Sequence, residues 1–420
     1  MAKTINLADK IDSLPPPLKA IIGVAGEVAK RRVASLYLVG GVVRDLLLGR
    51  ATLDIDLVTD CDAIGLAGEI SAATDGKMTA HHRFGTAKIQ YPGLSFDLAT
   101  IRAEDYHHPG ALPSVRPGTI RDDLFRRDFT VNAMAVRLMP TGYGELIDLY
   151  GGLDDLRQKL IRVLHDKSFC DDATRIWRAL RYQKRLDFQI ESGTLDLLER
   201  DISMLDTVSG DRIRYELECV FGEPEPEKVL READRLGVLQ KLHPGLSADQ
   251  KMAPAFHRAR EASQPDQPGF ALYLALLADN LSDLETDRLA GYLHLPKSAA
   301  KTLQDATLLK SRLAELEKTA VKPSVVSRLL SGYAPTALLA NTLSAPATAK
   351  QQIERYLNRY RYVRPALNGN DLLALGVKPG PPVKETLARL RDARLDGEVT
   401  DKPGEIALVR RWLGIAPGSS

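Results

Sequence analysis

The sequence predicts an α+β protein, with an N-terminal head built on a mixed sheet with helices and an all-helical region after it. Strand-like alternation of apolar and polar residues is confined to the first ~140 residues. Beyond about Leu153 the apolar residues recur at helical intervals, as in "ATRIWRALRYQKRL". Most of the glycine and proline turn signals also fall in the first part. These patterns favour a mixed head joined to a long helical remainder.

Composition and charge narrow the class of protein. The 420 residues are 44% hydrophobic and 27% charged, which is typical of a globular chain with a large core and roughly two to three domains. No apolar run approaches the ~18 residues of a membrane span, and "MAKTINLADKIDSLPPP" lacks a secretory signal. Three scattered cysteines without a C-x-x-C pair predict reduced thiols. We therefore expect a cytoplasmic protein without membrane contact.

The first element with chemical meaning is a strand, a glycine pair and a helix, in "LYLVGGVVRDLLLG". Glycines at such a turn let backbone N–H groups approach a phosphate, and the helix N-terminus adds partial positive charge. Gly40 and Gly41 form the turn, and Arg44, about one turn into the helix, is placed to contact the same phosphates. The order of these features predicts a triphosphate site, although a glycine pair alone often marks a plain tight turn.

The next strand, in "TLDIDLV", carries two carboxylates one residue apart. Because side chains alternate along a strand, Asp54 and Asp56 are predicted to share one face. Two carboxylates at this spacing repel each other unless a cation lies between them. The pair therefore predicts a divalent-metal site directly after the triphosphate site. A solvated acidic face on an edge strand is the alternative.

A hairpin follows, in "GTAKIQYPGLSFDLATIR", with Pro92 and Gly93 at its turn. Asp97 is predicted on the face opposite Phe96 and Leu98. It is a candidate third carboxylate for the metal site, and a solvent-facing aspartate is an equal alternative.

A helix in the second part of the chain is predicted to have one apolar and one charged face. In "DDATRIWRALRY", charged residues recur every three positions, and the apolar residues between them fill the other side. The charged residues are Asp172, Arg175, Arg178 and Arg181. A solvated charged face is the default explanation for such a pattern.

A basic and aromatic stretch near the C-terminus, "KQQIERYLNRYRYVRP", is a candidate RNA contact. The net charge of +2 is nearly neutral, so an RNA partner would have to be met by a local cluster of this kind. Its candidate RNA-binding residues are Arg355, Arg359, Tyr360 and Arg361. An amphipathic helix that packs its tyrosines inward is an equal alternative.

These motifs resemble the class II CCA-adding tRNA nucleotidyltransferases and bacterial poly(A) polymerases, within the DNA polymerase β-like nucleotidyltransferase superfamily. "GGVVRDLLLGRATLDID" resembles the catalytic motif, "RRDFTVNAMA" the next motif, "DLYGGLDDL" the hinge and "DDATRIWRALRY" the base-reading helix. The segment "NGNDLLALGVKPGPPVKETLARLRDARLDGEV" is similar to the end of CCA-adding enzymes. The resemblance runs from about residue 34 to 400 and is least specific over 206–345.

The resemblance implies a division into four parts. They are a nucleotidyltransferase head over 1–138, a neck with the base-reading helix over 139–205, a helical body over 206–345 and an RNA-binding helical tail over 346–420.

The resemblance also implies a reaction, the attack of an RNA 3′-hydroxyl on the α-phosphate of a nucleoside triphosphate. Two Mg²⁺ ions would be held by Asp54 and Asp56, with Asp97 as an added catalytic candidate. Gly40, Gly41, Arg44 and Arg127 would hold the phosphates, with Asp128 positioning Arg127. Asp172 and Arg175 would read the base, while Arg178 and Arg181 would steady the helix or reach the triphosphate.

Three functions remain to be separated. The first is addition of C, C and A to tRNA 3′ ends from CTP and ATP, which "HHRFGTAKIQY" and the C-terminal segment favour. The second is a poly(A) polymerase, and the third is a catalytically silent RNA-binding protein, which the retained aspartates argue against. No obligate protein partner is evident.

Two further stretches carry weaker signals. The loop Ala103–Gly118 is a candidate moving element, with an ordinary surface loop as the alternative. His165-Asp166 resembles a phosphohydrolase dyad, but no histidine cluster follows, so we expect no second activity.

Overall fold

The protein is described here by a computed structural model that covers residues 5–50, 54–82, 85–108, 110–111, 113–318 and 321–415, without the side chain of Asp54. Two compact units make up the chain. The first runs to Glu223 and adds Arg235–Lys241, and the second comprises Pro224–Asp234 and the residues from Leu242 onward.

The first unit is built on a seven-stranded mixed sheet in the order β3-β4-β5-β2-β1-β8-β9. β2 and β5 are parallel, whereas the other neighbours are antiparallel. Short pairs β6-β7 and β10-β11 stand apart from it. The strands are β1 Leu36–Val39, β2 Asp54–Thr59, β3 Lys77–His81, β4 Thr86–Tyr91, β5 Leu94–Thr100, β6 Arg102–Asp105, β7 Ser114–Pro117, β8 Met134–Arg137, β9 Leu146–Asp148, β10 Leu160–Ile161 and β11 Gln189–Ile190.

Ten α-helices within the described part of this unit cover or follow the sheet. They are α1 Ala8–Asp12, α2 Pro16–Arg31, α3 Gly41–Leu48, α4 Ala63–Thr74, α5 Ile120–Phe125, α6 Gly152–Gln158, α7 Ser168–Asp171, α8 Thr174–Leu186, α9 Ser192–Asp201 and α10 Gly210–Phe221. All four residues of β1, near the centre of the sheet, are buried. Tyr37 and Val39 of this strand join Leu124 and Ile101 in one hydrophobic core cluster.

Local sequence explains the elements nearest the site. α3 ends at Gly49, whose φ of +68° is the left-handed conformation that closes many helices. The β4-β5 hairpin turns through Pro92 and Gly93, and Gly93 has φ +75°, as the Pro-Gly pair predicts. The mixed head and this hairpin are therefore confirmed. The two-residue strands β10 and β11 were not predicted, because two residues carry no periodicity.

The described part of the second unit is helical throughout, which confirms the helical remainder. Its helices are α11 Pro226–Arg235, α12 Met252–Ser263, α13 Phe270–Leu277, α14 Asp283–Tyr292, α15 Lys297–Leu316, α16 Pro323–Leu330, α17 Pro335–Ser344, α18 Ala347–Asn358, α19 Gly369–Ala374, α20 Pro381–Leu395 and α21 Lys402–Trp412. One apolar cluster joins α15, α16 and α18, and a smaller one joins α19, α20 and α21. Across the described ranges, no helix combines the length and hydropathy needed to cross a membrane.

Candidate active site

A tight turn after β1 brings the start of α3 against the side chain of Arg127. Gly40 has φ +78° and ψ −136°, a conformation that residues with side chains rarely adopt. A Cβ placed on Gly40 would also lie 2.6 Å from Nη1 of Arg127. Gly41 is the first residue of α3, so the helix N–H groups open onto the same surface. The structure thus brings together Gly40, Gly41 and Arg127 in an arrangement suited to phosphate oxygens.

Asp123, near the end of α5, holds Arg127 in this position. Its buried carboxylate accepts hydrogen bonds from Nη2 of Arg127 at 3.0 Å and from Nε and Nη2 of Arg126 at 3.0 and 2.7 Å. Burial alone would raise the pKa of Asp123, but the two guanidinium groups outweigh burial and keep the pKa below its ordinary value. Nε of Arg127 is buried and has no partner in the described part of the chain. It is a donor available to a ligand oxygen.

Asp128 holds Arg178 and not Arg127, so the expected role of Asp128 is wrong. Its carboxylate accepts hydrogen bonds from Nε and Nη2 of Arg178 at 2.9 and 2.7 Å and from Nδ2 of Asn132 at 3.0 Å. The cause is that α8 presents Arg178 to Asp128, while α5 presents Asp123 to Arg127. Burial tends to raise the pKa of Asp128, but Arg178 and these hydrogen bonds lower it to about 2.

Arg44 is buried inside the protein and already paired. Its Nε and Nη2 donate to the carboxylate of Asp45 at 2.9 and 3.0 Å, and its Nη1 donates to Oδ1 of Asn132 at 2.6 Å. Burial lowers the pKa of Arg44, but Asp45 more than compensates, so the pKa is above its ordinary value. Nη2 of Arg44 would lie 3.4 Å from a Cβ on Gly41. Arg44 therefore borders the turn at Gly40 and Gly41 but would have to share its donors to bind a ligand.

Two carboxylates lie side by side on the exposed face of the sheet. Asp56 of β2 pairs with Asp97 of the parallel strand β5, and both are exposed. The flanking pairs Ile55 with Phe96 and Leu57 with Leu98 are buried. Asp54 lies two residues before Asp56 in the same strand, but its side chain is outside the part that the structure describes. The predicted proximity of Asp56 and Asp97 is therefore present.

The chemistry of these carboxylates fits a divalent cation. Among the described side chains, no group of three or more His, Cys, Asp or Glu residues could hold a metal ion, and Asp54 is outside that set. Carboxylate oxygens are the ligands that Mg²⁺ prefers. The ammonium group of Lys88 lies 3.2 Å from Oδ2 of Asp97. The carboxylate of Asp97 thus already attracts a positively charged group, the ammonium of Lys88.

Helix α8 has a buried polar face, so the solvated alternative is wrong. Ile176, Trp177 and Leu180 are 0% exposed on the apolar side, as predicted. Arg175 and Arg181 on the other side are only 5% and 8% exposed. These two arginines are therefore packed inside the protein and not on a solvated surface.

Asp172 lies before α8 and not on it, which corrects the predicted ridge of four residues. Its backbone is extended, with φ −143° and ψ 96°, between the end of α7 and the start of α8. Oδ1 of Asp172 accepts hydrogen bonds from the backbone N–H and the hydroxyl of Thr174, at 3.1 and 2.7 Å. A serine, threonine or aspartate just before a helix commonly satisfies its first N–H groups in this way.

Two arginines of α8 contact residues outside that helix. Arg175 donates to the hydroxyl of Ser168 at 2.6 Å and to the backbone oxygen of Arg126 at 2.8 Å. Nη1 of Arg181 lies 3.5 Å from Oε1 of Glu223, while its Nε has no partner within the described residues. Arg175 therefore lies next to the segment that holds Arg127.

Several residues of the site were missed by sequence reasoning. Tyr182 is approached by the guanidinium groups of Arg44, Arg178 and Arg181, at 5.2, 5.5 and 5.2 Å from its ring centre. Tyr182 follows Arg178 by four residues, a spacing at which side chains on a helix are neighbours, so the sequence could have indicated this contact. No signal in the sequence indicated Asp45, Asn132 or Asp123. Their partners are either distant in sequence or so close that the spacing is common in any helix.

The loop Ala103–Gly118 includes a β-hairpin formed by β6 and β7. A cavity of 680 Å³ lies against it, lined by residues of the hairpin, α5, α7 and α8, among them Glu104, Phe125, His165 and Arg175. Nε2 of His165 is 3.9 Å from Asp171, and its ring is 5.0 Å from that of Phe125. Burial lowers the pKa of His165. The His165-Asp166 pair thus lines a cavity of polar and aromatic side chains. The expectation that the protein has no second activity stays a prediction.

In the second unit the RNA-binding candidates divide into exposed and buried residues. Arg355 and Arg359 are exposed, at and after the end of α18. Tyr360 is only 8% exposed and packs in the core, so its proposed contact with RNA is corrected. The ring exposed there is Tyr362, at 61%, with the guanidinium group of Arg361 over it at 4.7 Å. The inward-packing alternative holds for Tyr360 and not for Tyr362.

Two protein-family models match the chain. The model described as "Poly A polymerase head domain" matches residues 36–162, and "Probable RNA and SrmB- binding site of polymerase A" matches residues 187–250. The first covers the sheet and the carboxylates, and the second begins at the end of α8.

Relatives named for three different activities align with nearly the whole chain. An A-adding tRNA nucleotidyltransferase of Geobacter sulfurreducens is 32% identical over 95% of the chain, which spans only 47% of that relative. A CC-adding tRNA nucleotidyltransferase of Deinococcus radiodurans is 35% identical over 91% of the chain and 90% of its own length. The solved Thermotoga maritima CCA-adding enzyme complexed with tRNA has a TM-score of 0.77 and 29% identity, covering 98% of this chain and all of that one.

Proposed function

Since the chain belongs to the family of CCA-adding tRNA nucleotidyltransferases and bacterial poly(A) polymerases, we propose that it adds C, C and A to tRNA 3′ ends from CTP and ATP. One observation supports this most strongly. Arg127 beside the glycine turn is connected through Asp123 and Arg126 to Arg175, so the residues proposed to bind phosphate and those proposed to bind the base lie in one network of hydrogen bonds. We include a cytoplasmic location in this proposal, because tRNA, CTP and ATP are present in the cytoplasm.

The proposed mechanism is attack of the tRNA 3′-hydroxyl on the α-phosphate of the bound nucleotide, with pyrophosphate leaving in line. Gly40, Gly41 and the unpaired Nε of Arg127 bind the phosphate oxygens. Asp123 keeps Arg127 oriented, so its donors are in place before the ligand arrives. Arg44, next to Gly41 and paired with Asp45, would bind a phosphate oxygen only by sharing the donors that it gives to Asp45 and Asn132.

Asp54 and Asp56, with Asp97 as a third candidate, would hold the metal. The family depends in general on divalent cations, and Mg²⁺, in two ions, is part of this proposal. When bound, the ions would supply activation of the 3′-hydroxyl and compensation of the negative charge on the leaving pyrophosphate. Lys88 neutralises Asp97 on the exposed sheet face.

Asp172 and Arg175 are proposed to read the base. An aspartate accepts hydrogen bonds and an arginine donates them, which suits the Watson–Crick edges of cytosine and adenine and mismatches uracil and guanine. Arg175 is 5% exposed and fixed by Ser168 and Arg126, and three hydrogen bonds leave it further N–H groups for a base. Selection then needs no nucleic-acid template.

The defining experiment uses three tRNA substrates, ending before the CCA, after one C and after two C residues. Each is incubated with the protein, Mg²⁺ and labelled CTP, ATP or both. We expect every substrate to be completed to CCA and extension to stop there. An Asp56→Asn variant, which keeps the shape of Asp56 but removes its charge, is expected to lose at least about a thousandfold in rate.

The same experiment separates the alternatives that the relatives raise. Addition of A to the third substrate only would identify an A-adding enzyme, and a stop after two C residues would identify a CC-adding enzyme. A long adenylate tail would identify a poly(A) polymerase. No incorporation into any substrate would contradict the proposal.

A further inference from the structure

The two oxygens of the Asp172 carboxylate differ in their surroundings. Oδ1 accepts three hydrogen bonds, from the backbone and hydroxyl of Thr174 and from Nη2 of Arg212 at 2.8 Å. Oδ2 accepts none from any residue that the structure describes. The side chain of Asp172 is 20% exposed, so Oδ2 is the oxygen left for a ligand.

Arg212 comes from a different element. It lies in the first turn of α10, which packs against α8, and it reaches Asp172 across 40 residues of sequence. Its side chain is 30% exposed, so the ion pair is partly shielded from water. A charge-assisted hydrogen bond in such a place is stronger and better directed than one on an open surface.

Three donors on one oxygen fix the rotation of the carboxylate. The Thr174 contacts alone bind Oδ1 from the helix side, and a second element is needed to hold the plane of the carboxylate against rotation. Arg212 supplies that contact. With Oδ1 saturated, Oδ2 points its lone pairs at whatever binds beside Asp172.

We propose that Arg212 is a positioning residue for nucleotide selection, which fixes Asp172 so that Oδ2 accepts a hydrogen bond from the exocyclic amino group of cytosine or adenine. This rests on the proposed role of Asp172 in base reading. Uracil and guanine carry a carbonyl oxygen at the equivalent position, and a fixed acceptor facing an acceptor repels them. Without Arg212 the carboxylate rotates, and this repulsion weakens.

The test compares Arg212→Met with Arg214→Met. Arg214 lies on the same helix and pairs with Asp211 and Glu218 of that helix, so it is a matched control. Binding of CTP and of UTP is measured by calorimetric titration without RNA, and kcat/KM for both nucleotides is measured on tRNA lacking its CCA end. Arg212→Met is expected to lower the preference for CTP over UTP by about ten- to a hundredfold. Arg212→Lys is expected to restore part of it, and Arg214→Met to keep the wild-type preference.

Two controls keep the result interpretable. Melting temperatures of all variants are measured, and Arg212→Met is repeated with Asp172→Ala, where it is expected to have no further effect on preference. An unchanged CTP preference in Arg212→Met, an equal loss for both nucleotides, or a wild-type protein that binds CTP and UTP alike would each overturn the inference. Failure of tRNA extension with the binding preference intact would instead count against the proposed function.

Discussion

Buried aspartates hold the arginines of this site, and each aspartate has a different set of partners. Asp123 lies between Arg126 and Arg127, and Asp128 accepts two hydrogen bonds from Arg178. Removing one partner of a buried ion pair leaves the other charge without compensation, which costs more than an exposed pair is worth. The stability of the protein and the geometry of the proposed phosphate site therefore depend on the same few carboxylates.

Asp123→Asn is expected to destabilise the protein by about 3 to 5 kcal/mol, because two largely shielded guanidinium groups lose the negative charge of a buried carboxylate. It is also expected to raise KM for CTP, since Arg127 loses its fixed orientation. Urea unfolding and steady-state kinetics measure the two effects. The neighbouring Asp122 caps the start of α5 on the exposed side, so Asp122→Asn is the control, with a cost of about 1 kcal/mol or less. Equal effects of both substitutions would contradict this prediction.

Asp128→Asn tests the pH dependence of stability. The pKa of Asp128 is about 2 in the folded protein against an ordinary value of 3.8, so its ionised form stabilises the fold by about 2 kcal/mol at neutral pH. A lowered carboxylate pKa gives stability that is present above the unfolded pKa and is lost as pH falls toward the folded pKa. The difference in unfolding free energy between wild type and variant is therefore expected to be constant from pH 7 to 5. It should shrink between about pH 4 and pH 2, and a constant difference down to pH 3 would be inconsistent.

At the scale of elements, the parts predicted from sequence are those whose signals are local. β1, α3 and β2 follow from an apolar run, a glycine pair and alternation, and the β4-β5 hairpin follows from Pro92-Gly93. The start of α8 was placed too early because Asp172 is extended, and no periodicity marks such a break. The partners of Arg127, Arg178 and Asp172 were not predictable, since spatial contacts between separate elements leave no pattern in one sequence.

The turn between β1 and α3 can be tested by comparing two glycines. Gly40→Ala is expected to destabilise the protein and to raise KM for CTP at least about tenfold, because it adds backbone strain and displaces Arg127. Gly49 also has a positive φ, of +68°, but a Cβ there would meet no atom within 4 Å. Gly49→Ala is therefore expected to cost stability, by about 1 kcal/mol or more, without changing KM. Thermal unfolding measures the loss of stability of each variant, and steady-state kinetics measure KM for CTP. An unchanged KM in Gly40→Ala would contradict the proposed role of the turn.

For the whole molecule, the net charge of +2 predicts that any attraction to RNA comes from local clusters and not from the overall field. Exposed Arg355 and Arg359 lie in the second unit, whereas the candidate active site lies in the first. Nucleotide binding and RNA binding are therefore expected to respond to different substitutions.

The double substitution Arg355→Ala with Arg359→Ala is expected to weaken tRNA binding and to reduce the slope of log affinity against log salt by up to about two, one for each lost phosphate contact. CTP binding is expected to be unchanged. Tyr360→Phe is the control, because the ring stays in the core while its hydroxyl is removed. Filter binding at several salt concentrations measures the slope. A wild-type slope in the double variant would assign the RNA contact to other residues.

Arg126 joins the two sides of the pocket through different atoms of one residue. Its side chain bonds to Glu104 and Asp123, while its main-chain oxygen accepts the hydrogen bond of Arg175. A shift of this single peptide would move Asp123, which holds Arg127 of the proposed phosphate site, together with Arg175, the proposed base reader. A substitution that displaces Arg127 is therefore expected to displace Arg175 as well, and the reverse. The losses of activity caused by two substitutions, one near each arginine, are consequently not expected to add.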